Sequence, residues 1–126
     1  MQNHILLALG ALVALVHTKA LVTNNCQNNV YIRSVPQQPT LANNLLVAPG
    51  ARYEEPWRSG TVGTPGIAIK IFTEPNGVHT TKDEINFQYS VDAADPFIIW
   101  TNLANVRGNT FKRAVLHTCR DVIEVC

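Results

Sequence analysis

The residues best suited to chemistry stand close together near the middle of the chain, at the end of a predicted strand. The segment carries two aromatic rings, two carboxylates and a guanidinium group: Tyr53, Glu54, Glu55, Trp57 and Arg58. Aromatic rings can stack on sugar rings, and the charged groups can hydrogen-bond sugar hydroxyls. We therefore take these residues as a candidate ligand-binding site for polysaccharide. In the structural alternative, Tyr53 packs in the core and Trp57 covers its edge.

Paired carboxylates would suggest a second chemistry, the hydrolysis of polysaccharide. A glycosidase needs two carboxyl groups about 5–5.5 Å apart, or about 6.5–9.5 Å apart if it inverts. Glu54 and Glu55 are adjacent in a predicted strand and therefore face opposite ways. A pair would have to join one of them to Asp83 or Asp95, and sequence spacing does not indicate that. No catalytic residue is assigned, and a weak β-1,3-glucanase remains the low-ranked alternative to a chain that is not an enzyme.

The first residues of the chain indicate export. Met1 to His4 form a short polar start, Ile5 to Val16 form an unbroken apolar run, and Ala20 supplies a small residue after it. This pattern predicts a signal peptide over residues 1–20, cleaved after Ala20 or within one or two residues of it. The run is shorter than the roughly 20 apolar residues of a membrane-spanning helix. Residues 21–126 are therefore predicted to form one secreted domain with no membrane attachment after cleavage.

The charge of the predicted mature chain is balanced. Cleavage would remove Lys19 from ten basic residues, leaving nine against nine acidic ones. Nucleic acids and anionic membranes require basic patches, and the arginines are scattered along the chain. The composition therefore favours neither partner.

Cys26, Cys119 and Cys126 are the cysteines of the chain. In a secreted protein they predict one disulfide and one remaining thiol. A bridge from Cys26 to Cys126 or to Cys119 closes roughly 100 residues, which chain-entropy theory values at about 4.7 kcal/mol, whereas Cys119–Cys126 would close a short loop. We expect a long bridge from the first strand to the C-terminal end. The protein would be a monomer, or a dimer through the odd cysteine.

Motifs for a metal, a cofactor or a serine nucleophile are not found. His79 and His117 are the histidines left after the predicted cleavage, and no Cys-x-x-Cys accompanies them. Ser34, Ser59 and Ser90 all lie outside a Gly-x-Ser-x-Gly elbow. We therefore expect neither cofactor nor metal.

Short alternating segments separated by Gly, Pro and Asn predict an all-β sandwich. The segments with strand character are Leu21–Thr23, Val30–Val35, Leu45–Val47, Ile67–Phe72, Ile85–Ser90, Phe97–Trp100, Phe111–Leu116 and Val122–Val125. Phe97–Trp100 is apolar throughout, which predicts a central strand buried on both faces, with Trp100 in the core. Ala48-Pro49-Gly50 predicts a turn in which Gly50 takes a positive φ.

Several of these segments together carry a resemblance. They are Val22–Cys26, Val30–Ile32, Leu46–Arg58, Gly66–Ile71, Phe87–Ser90 and Ile99–Trp100. The chain resembles the Blastomyces yeast-phase-specific protein family of fungi, small secreted proteins often called antigenic thaumatin-like proteins. The resemblance covers nearly all of the predicted mature chain. The Asn-Asn-Cys start and the Leu-x-x-Pro-Gly-x-x-Tyr-x-Glu-Pro run carry most of it.

The resemblance implies a thaumatin-like β-sandwich in which the first cysteine bonds the C-terminal region. The resulting interpretation pairs Cys26 with Cys126, with Cys26–Cys119 as the alternative. The acidic cleft of larger thaumatin-like proteins has no position-by-position match here, so no cleft residue is carried over. The expected role is extracellular, associated with the cell wall or facing a host, with polysaccharide or a host protein as the partner. Exposure of Tyr53 and Trp57 along one groove would favour polysaccharide, and an exposed apolar patch would favour a protein.

Overall fold

Nine β-strands make up nearly all of the regular structure in the described part of the chain. The computed structural model describes residues 19–36, 44–79, 83–108, 111, 114–117 and 122–126, and in these it has no α-helix. The strands are β1 Lys19–Asn24, β2 Val30–Val35, β3 Leu45–Val47, β4 Arg52–Pro56, β5 Ile67–Phe72, β6 Glu84–Val91, β7 Ile99–Arg107, β8 Ala114–His117 and β9 Val122–Val125. A short 3₁₀ turn spans Gly77–His79. The predicted all-β class is confirmed.

The strands form two sheets that share one core. One sheet has the order β4-β1-β9-β8 and the other the order β3-β2-β5-β6-β7. Neighbouring strands are antiparallel, except that β1 and β9 run parallel. Val22 and Ile123 of the first sheet belong to the same buried cluster as Ile69 and Phe87 of the second. The two sheets therefore pack face to face as a sandwich.

Alternation along the strands decides which side chains enter this core. In β5, Ile67, Ile69 and Ile71 are buried, as the sequence predicts, because successive side chains of a strand point to opposite faces. Burying each such side chain stabilises the fold by about 1.5–3 kcal/mol. The other face of β5 carries Ala68 and Lys70 and belongs to the outer surface of the five-stranded sheet.

The predicted turn before β4 is confirmed. The amide of Ala51 donates to the carbonyl of Ala48 at 2.9 Å, and Gly50 has φ of 76°. This left-handed conformation is readily accessible only to glycine, so the Pro49-Gly50 pair suits the turn. The turn brings β4 back alongside β1.

Buried Asn24 at the end of β1 organises the region around the disulfide. Its Nδ2 donates to the carbonyls of Asn28 and Val47, and its Oδ1 accepts from the amide of Cys26 at 2.9 Å. Cys26 is bonded to Cys126, which directly follows β9. The disulfide therefore links the ends of the two strands that pair in parallel, while Cys119 lies outside the described residues.

Strand β1 begins before the predicted mature N terminus. Ala20 is fully buried opposite Glu55, and Lys19 forms an ion pair of 2.6 Å with Glu54. Cleavage after Ala20 would leave β1 with Leu21–Asn24. The rest of the predicted signal peptide lies outside the described residues. Within the described residues, no helix is long and apolar enough to cross a membrane.

The prediction for Phe97–Trp100 is wrong. Phe97 and Ile98 lie in a turn, where Ile98 exchanges backbone hydrogen bonds with Asp92 and Asp95, and β7 begins only at Ile99. Strand β7 is at the edge of its sheet, and Trp100 is 63% exposed. The Asp-Ala-Ala-Asp-Pro sequence before it supplies turn chemistry that the apolar run alone did not reveal.

Candidate functional site

Successive side chains of β4 point to opposite faces of the sheet, so the residues of the candidate segment from Tyr53 to Arg58 do not all lie on one face. Tyr53 and Glu55 face the core and are 4% and 2% exposed, whereas Glu54 is on the outside. Tyr53 and Trp57 are therefore not exposed together along one groove. The structural alternative describes Tyr53 correctly.

Glu55 is the centre of a buried polar network between the two sheets. Its Oε2 accepts a hydrogen bond of 2.7 Å from the Tyr53 hydroxyl, and its Oε1 accepts one of 2.6 Å from the Tyr89 hydroxyl. Tyr53 belongs to the four-stranded sheet and Tyr89 to the five-stranded sheet. A buried carboxylate is costly unless it is hydrogen-bonded, and these two hydroxyls provide that bonding.

Arg58 supplies the charge that balances Glu55. Its Nε lies 3.8 Å from Glu55 Oε2, and its Nη2 donates to Ser34 Oγ at 2.6 Å and to the Pro36 carbonyl at 2.7 Å. Trp57 is half-buried and packs edge-on against Tyr89, with ring centroids 4.7 Å apart. Arg58 and Trp57 thus join the same network and hold the loop after β4 against the five-stranded sheet.

The two tyrosines of this network keep their protons. Burial, followed by the hydrogen bond to Glu55, raises the pKa of Tyr53 and of Tyr89 well above the ordinary value. The Glu55 carboxylate and the two tyrosine hydroxyls, which could act as base or acid, are therefore enclosed in the core and hydrogen-bonded to one another. This arrangement stabilises the fold and does not present a reactive group to a substrate.

The two glutamates suspected of belonging to a hydrolase pair are engaged in other contacts. Glu55 faces the core, and Glu54 lies outside the four-stranded sheet in its ion pair with Lys19. Asp83 and Asp95 flank opposite ends of β6, whose eight residues span about 26 Å at about 3.3 Å per residue. Asp83 and Asp95 thus lie far from each other, while Glu54 and Glu55 are each engaged with other partners.

An open hollow lies on the outer face of the five-stranded sheet. Pairing register places Val35, Ala68, Gln88 and Asn102 side by side in one row across β2, β5, β6 and β7. Ser90 and Trp100 pair in the next row. The hollow has a volume of about 500 Å³, and its wall includes all six of these residues. None of the described residues that line it is charged.

Trp100 is the largest exposed group of the hollow, and its ring is held in place. The indole Nε1 donates to Asp92 Oδ2 at 3.3 Å. Hydrogen bonds from the Ala94 amide, the Trp100 indole and the Asp95 amide hold the pKa of Asp92 below its usual range. Beside the ring, Asn102 Nδ2 donates to Gln88 Oε1 at 3.3 Å. The site therefore combines a fixed aromatic surface with amide and hydroxyl groups.

The apolar run Phe97–Trp100 predicts Trp100 in the core, so this site cannot be found from that run. A longer stretch of sequence does indicate that this strand is exposed. Along it, Trp100, Asn102 and Ala104 alternate with Ile99, Thr101 and Leu103, and a strand buried on both faces does not carry so many polar residues. Among the described residues, no group of three or more His, Cys, Asp or Glu side chains could hold a metal ion.

Comparisons with known proteins identify a family and little beyond it. No significant match was found among curated proteins or among solved structures. The sequence profile of the Blastomyces yeast-phase-specific protein matches residues 7–120, nearly the whole chain. The match includes β1 to β8, the buried network around Glu55 from both sheets, and the hollow around Trp100. The chain therefore belongs to the Blastomyces yeast-phase-specific protein family.

Proposed function

We propose that this chain is a small secreted protein of thaumatin-like architecture, without enzymatic activity, that binds polysaccharide at the cell wall or at a host surface. The observation that carries the proposal is the hollow around Trp100. Secretion is supported by the signal-like N-terminal residues and by the disulfide, since disulfides persist in oxidising compartments. The two facing sheets and the bond from Cys26 to the C terminus support the thaumatin-like architecture.

The chemistry of the hollow suits a neutral sugar polymer. A pyranose ring presents C–H groups on its face and hydroxyls around its rim. The face can pack on the Trp100 indole, while Gln88, Asn102 and Ser90 donate to and accept from the rim hydroxyls. Because the described residues in the wall of the hollow are uncharged, the hollow favours uncharged glucan or chitin over an acidic polymer. Because the hollow is open, a long polysaccharide chain could also extend beyond it on both sides.

A protein partner is the second candidate function, and one observation favours it. Phe97 is 90% exposed and Ile98 is 43% exposed, and both lie just before Trp100 in the chain. Contiguous exposed apolar groups are typical of protein interaction sites. A β-1,3-glucanase is the third candidate and has the least support, because Glu55 is buried and Glu54 is ion-paired with Lys19.

The test is a pull-down of the secreted, oxidised protein on insoluble β-1,3-glucan and on chitin, with released reducing sugar assayed in the same tubes. We expect retention without sugar release. Trp100→Ala should weaken binding about tenfold, because a stacking contact of about 1.4 kcal/mol corresponds to that factor. Phe97→Ala is the matched control, since Phe97 is an exposed aromatic residue that does not line the hollow.

The outcomes separate the three functions. Loss of retention in Trp100→Ala but not in Phe97→Ala supports the hollow as the binding site. Release of reducing sugar would instead point to a hydrolase. If the wild-type protein is not retained on either polymer, polysaccharide binding is wrong and the apolar surface near Phe97 becomes the leading site for a protein partner.

A further inference from the structure

Strand β7 is an edge strand without the usual protection. Among the described residues it pairs with β6 on one side and with no strand on the other. It is nine residues long, and from Ile99 to Val106 it contains no charged residue and no proline. Natural proteins commonly protect such edges with charges, prolines, short length or bulges. An unprotected edge of this length offers free backbone groups to another strand.

The other sheet edges have such protection. Strand β4 carries Arg52, Glu54 and Pro56, and Glu54 is occupied by its ion pair with Lys19. Strand β3 has three residues, and β8 has four among the described residues. In β7, the only comparable device is a bulge opposite the Glu84–Ile85 step, which leaves Ile99–Asn105 as the regular stretch. The contrast marks β7 as the edge suited to pairing.

Exposed apolar side chains are concentrated at the same edge. Of the seven large hydrophobic residues exposed in the described chain, four belong to β7 or to the two residues before it. These are Phe97, Ile98, Trp100 and Val106. Pairing along β7 would remove part of this surface from water, which favours association.

The charges at the two ends of β7 favour a second copy in antiparallel orientation. Asp92 and Asp95 lie in the turn before the strand, and Arg107 ends it. In an antiparallel pair of β7 strands, Arg107 of each copy lies near the acidic turn of the other. Arg107 is ion-paired with Glu84 of its own chain, so the acidic turns set the preferred orientation. A parallel pair would bring the two acidic turns together, whereas an antiparallel pair keeps them at opposite ends.

We propose that two copies of this chain associate through antiparallel pairing of their β7 strands, which joins two five-stranded sheets into one. Pairing that uses the whole regular stretch Ile99–Asn105 centres on Asn102. It places Asn102 opposite Asn102 of the second copy, and Trp100 opposite the small Ala104. Directly opposed residues share a face, so the two Trp100 hollows open on the same side of the joined sheet. This association does not depend on the proposed polysaccharide binding.

The position of Asn102 allows a specific test by charge exchange. Asn102 is exposed, so substituting it with a charged residue leaves the core intact. Asn102→Lys and Asn102→Asp would each place two like charges opposite one another at the centre of the pair. We expect each variant to weaken association at least about tenfold. An equimolar mixture of the two should restore it, because the opposed charges then have opposite signs.

The measurement is sedimentation equilibrium of the full secreted protein from low micromolar to millimolar concentration. Cys119→Ser is included in every variant, so that a dimer cannot arise through the odd cysteine. Leu46→Lys is the matched control, since Leu46 is an exposed residue on the opposite edge strand. The proposal expects a dimer for the Cys119→Ser parent and for Leu46→Lys, and monomers for each Asn102 variant alone.

Three outcomes would overturn the proposal. The first is a parent that remains monomeric at the highest concentration, and the second is Asn102 variants that dimerise as well as the parent. The third is a mixture of the Lys and Asp variants that remains monomeric while both show the native circular dichroism spectrum. The polysaccharide pull-down reads a different property, so either proposal can fail without the other.

Discussion

The hydroxyl of Tyr89 reaches from one sheet to the other and donates a hydrogen bond of 2.6 Å to Glu55 Oε1. Tyr53, two residues before Glu55 on the same face of β4, donates to the second oxygen of that carboxylate. A single buried carboxylate thereby joins the two layers of the sandwich. Removing it leaves two buried hydroxyls and the Arg58 guanidinium to find other partners.

Replacing Glu55 by Gln should destabilise the protein by about 1.5–3 kcal/mol, the range for hydrogen bonds to charged groups. A glutamine can accept from one tyrosine through its carbonyl, but its amide nitrogen cannot accept from the other. Urea unfolding at neutral pH would measure the loss. Glu54→Gln is the matched control, because Glu54 is exposed and should change stability little. Equal losses in the two variants would contradict the role given to the buried network.

Stability should fall steeply in alkaline solution. Burial and the bond to Glu55 raise the pKa of Tyr53 and of Tyr89, so below about pH 10 both folded and unfolded chains keep these protons. Above that pH, the unfolded chain releases protons that the folded chain retains. The free energy of unfolding should then decrease by up to about 2.7 kcal/mol per pH unit for two such groups.

The measurement is urea unfolding at several pH values above about 10. The two tyrosines contribute to the slope of the free energy of unfolding against pH. Tyr53→Phe and Tyr89→Phe should each reduce that contribution by about half, even though each variant is less stable than the wild type. A slope that is unchanged in both variants would show that other groups cause the alkaline loss.

Glu84 should contribute the opposite pH dependence. Burial alone would raise its pKa, but hydrogen bonds and charges from Lys70 and Arg107 outweigh burial and lower it. A lowered pKa in the folded state stabilises the protein above the ordinary value of 4.5, and this stabilisation is lost as the pH falls. Glu84→Gln should therefore show a flatter decline of stability between about pH 5.5 and pH 3 than the wild type. A decline as steep as that of the wild type would contradict this assignment.

The disulfide should be a major source of stability. It joins residues separated by 100 positions, and chain-entropy theory gives about 4.7 kcal/mol for a loop of that length. Replacing both Cys26 and Cys126 by Ser should lower the free energy of unfolding by an amount approaching this value. Cys119→Ser is the control and should leave the bridge intact. Peptide mapping of the oxidised protein checks the pairing directly, and a Cys26–Cys119 peptide would contradict it.

Much of the fold could be predicted from local patterns. The bounds of Val30–Val35 and Ile67–Phe72 match β2 and β5, and their alternation correctly places one face of each strand in the core, although Phe72 on the other face of β5 is also buried. The turn at Gly50 could be predicted because its backbone conformation depends on residue type. The order of the strands could not, since pairing depends on contacts between residues far apart in the sequence.

The candidate site was less predictable than the fold. Alternation in β4 already separated Glu54 from Glu55, but it could not show that Tyr89, from the other sheet, would meet the Glu55 carboxylate. Trp100 was assigned to the core because its neighbours are apolar, yet exposure depends on whether a further strand covers β7. Local hydrophobicity does not contain that information.

The parallel pairing of β1 with β9 has a consequence for how the chain folds during synthesis. Leu21 pairs with Val122, which is synthesised long after it. The five-stranded sheet needs nothing beyond β7, but the middle of the four-stranded sheet is incomplete until β9 has been made. Folds dominated by such distant contacts form slowly, because a long loop must close first. The five-stranded sheet therefore has its apolar face uncovered until β9 is made. During this interval, chaperone binding or aggregation would compete with folding.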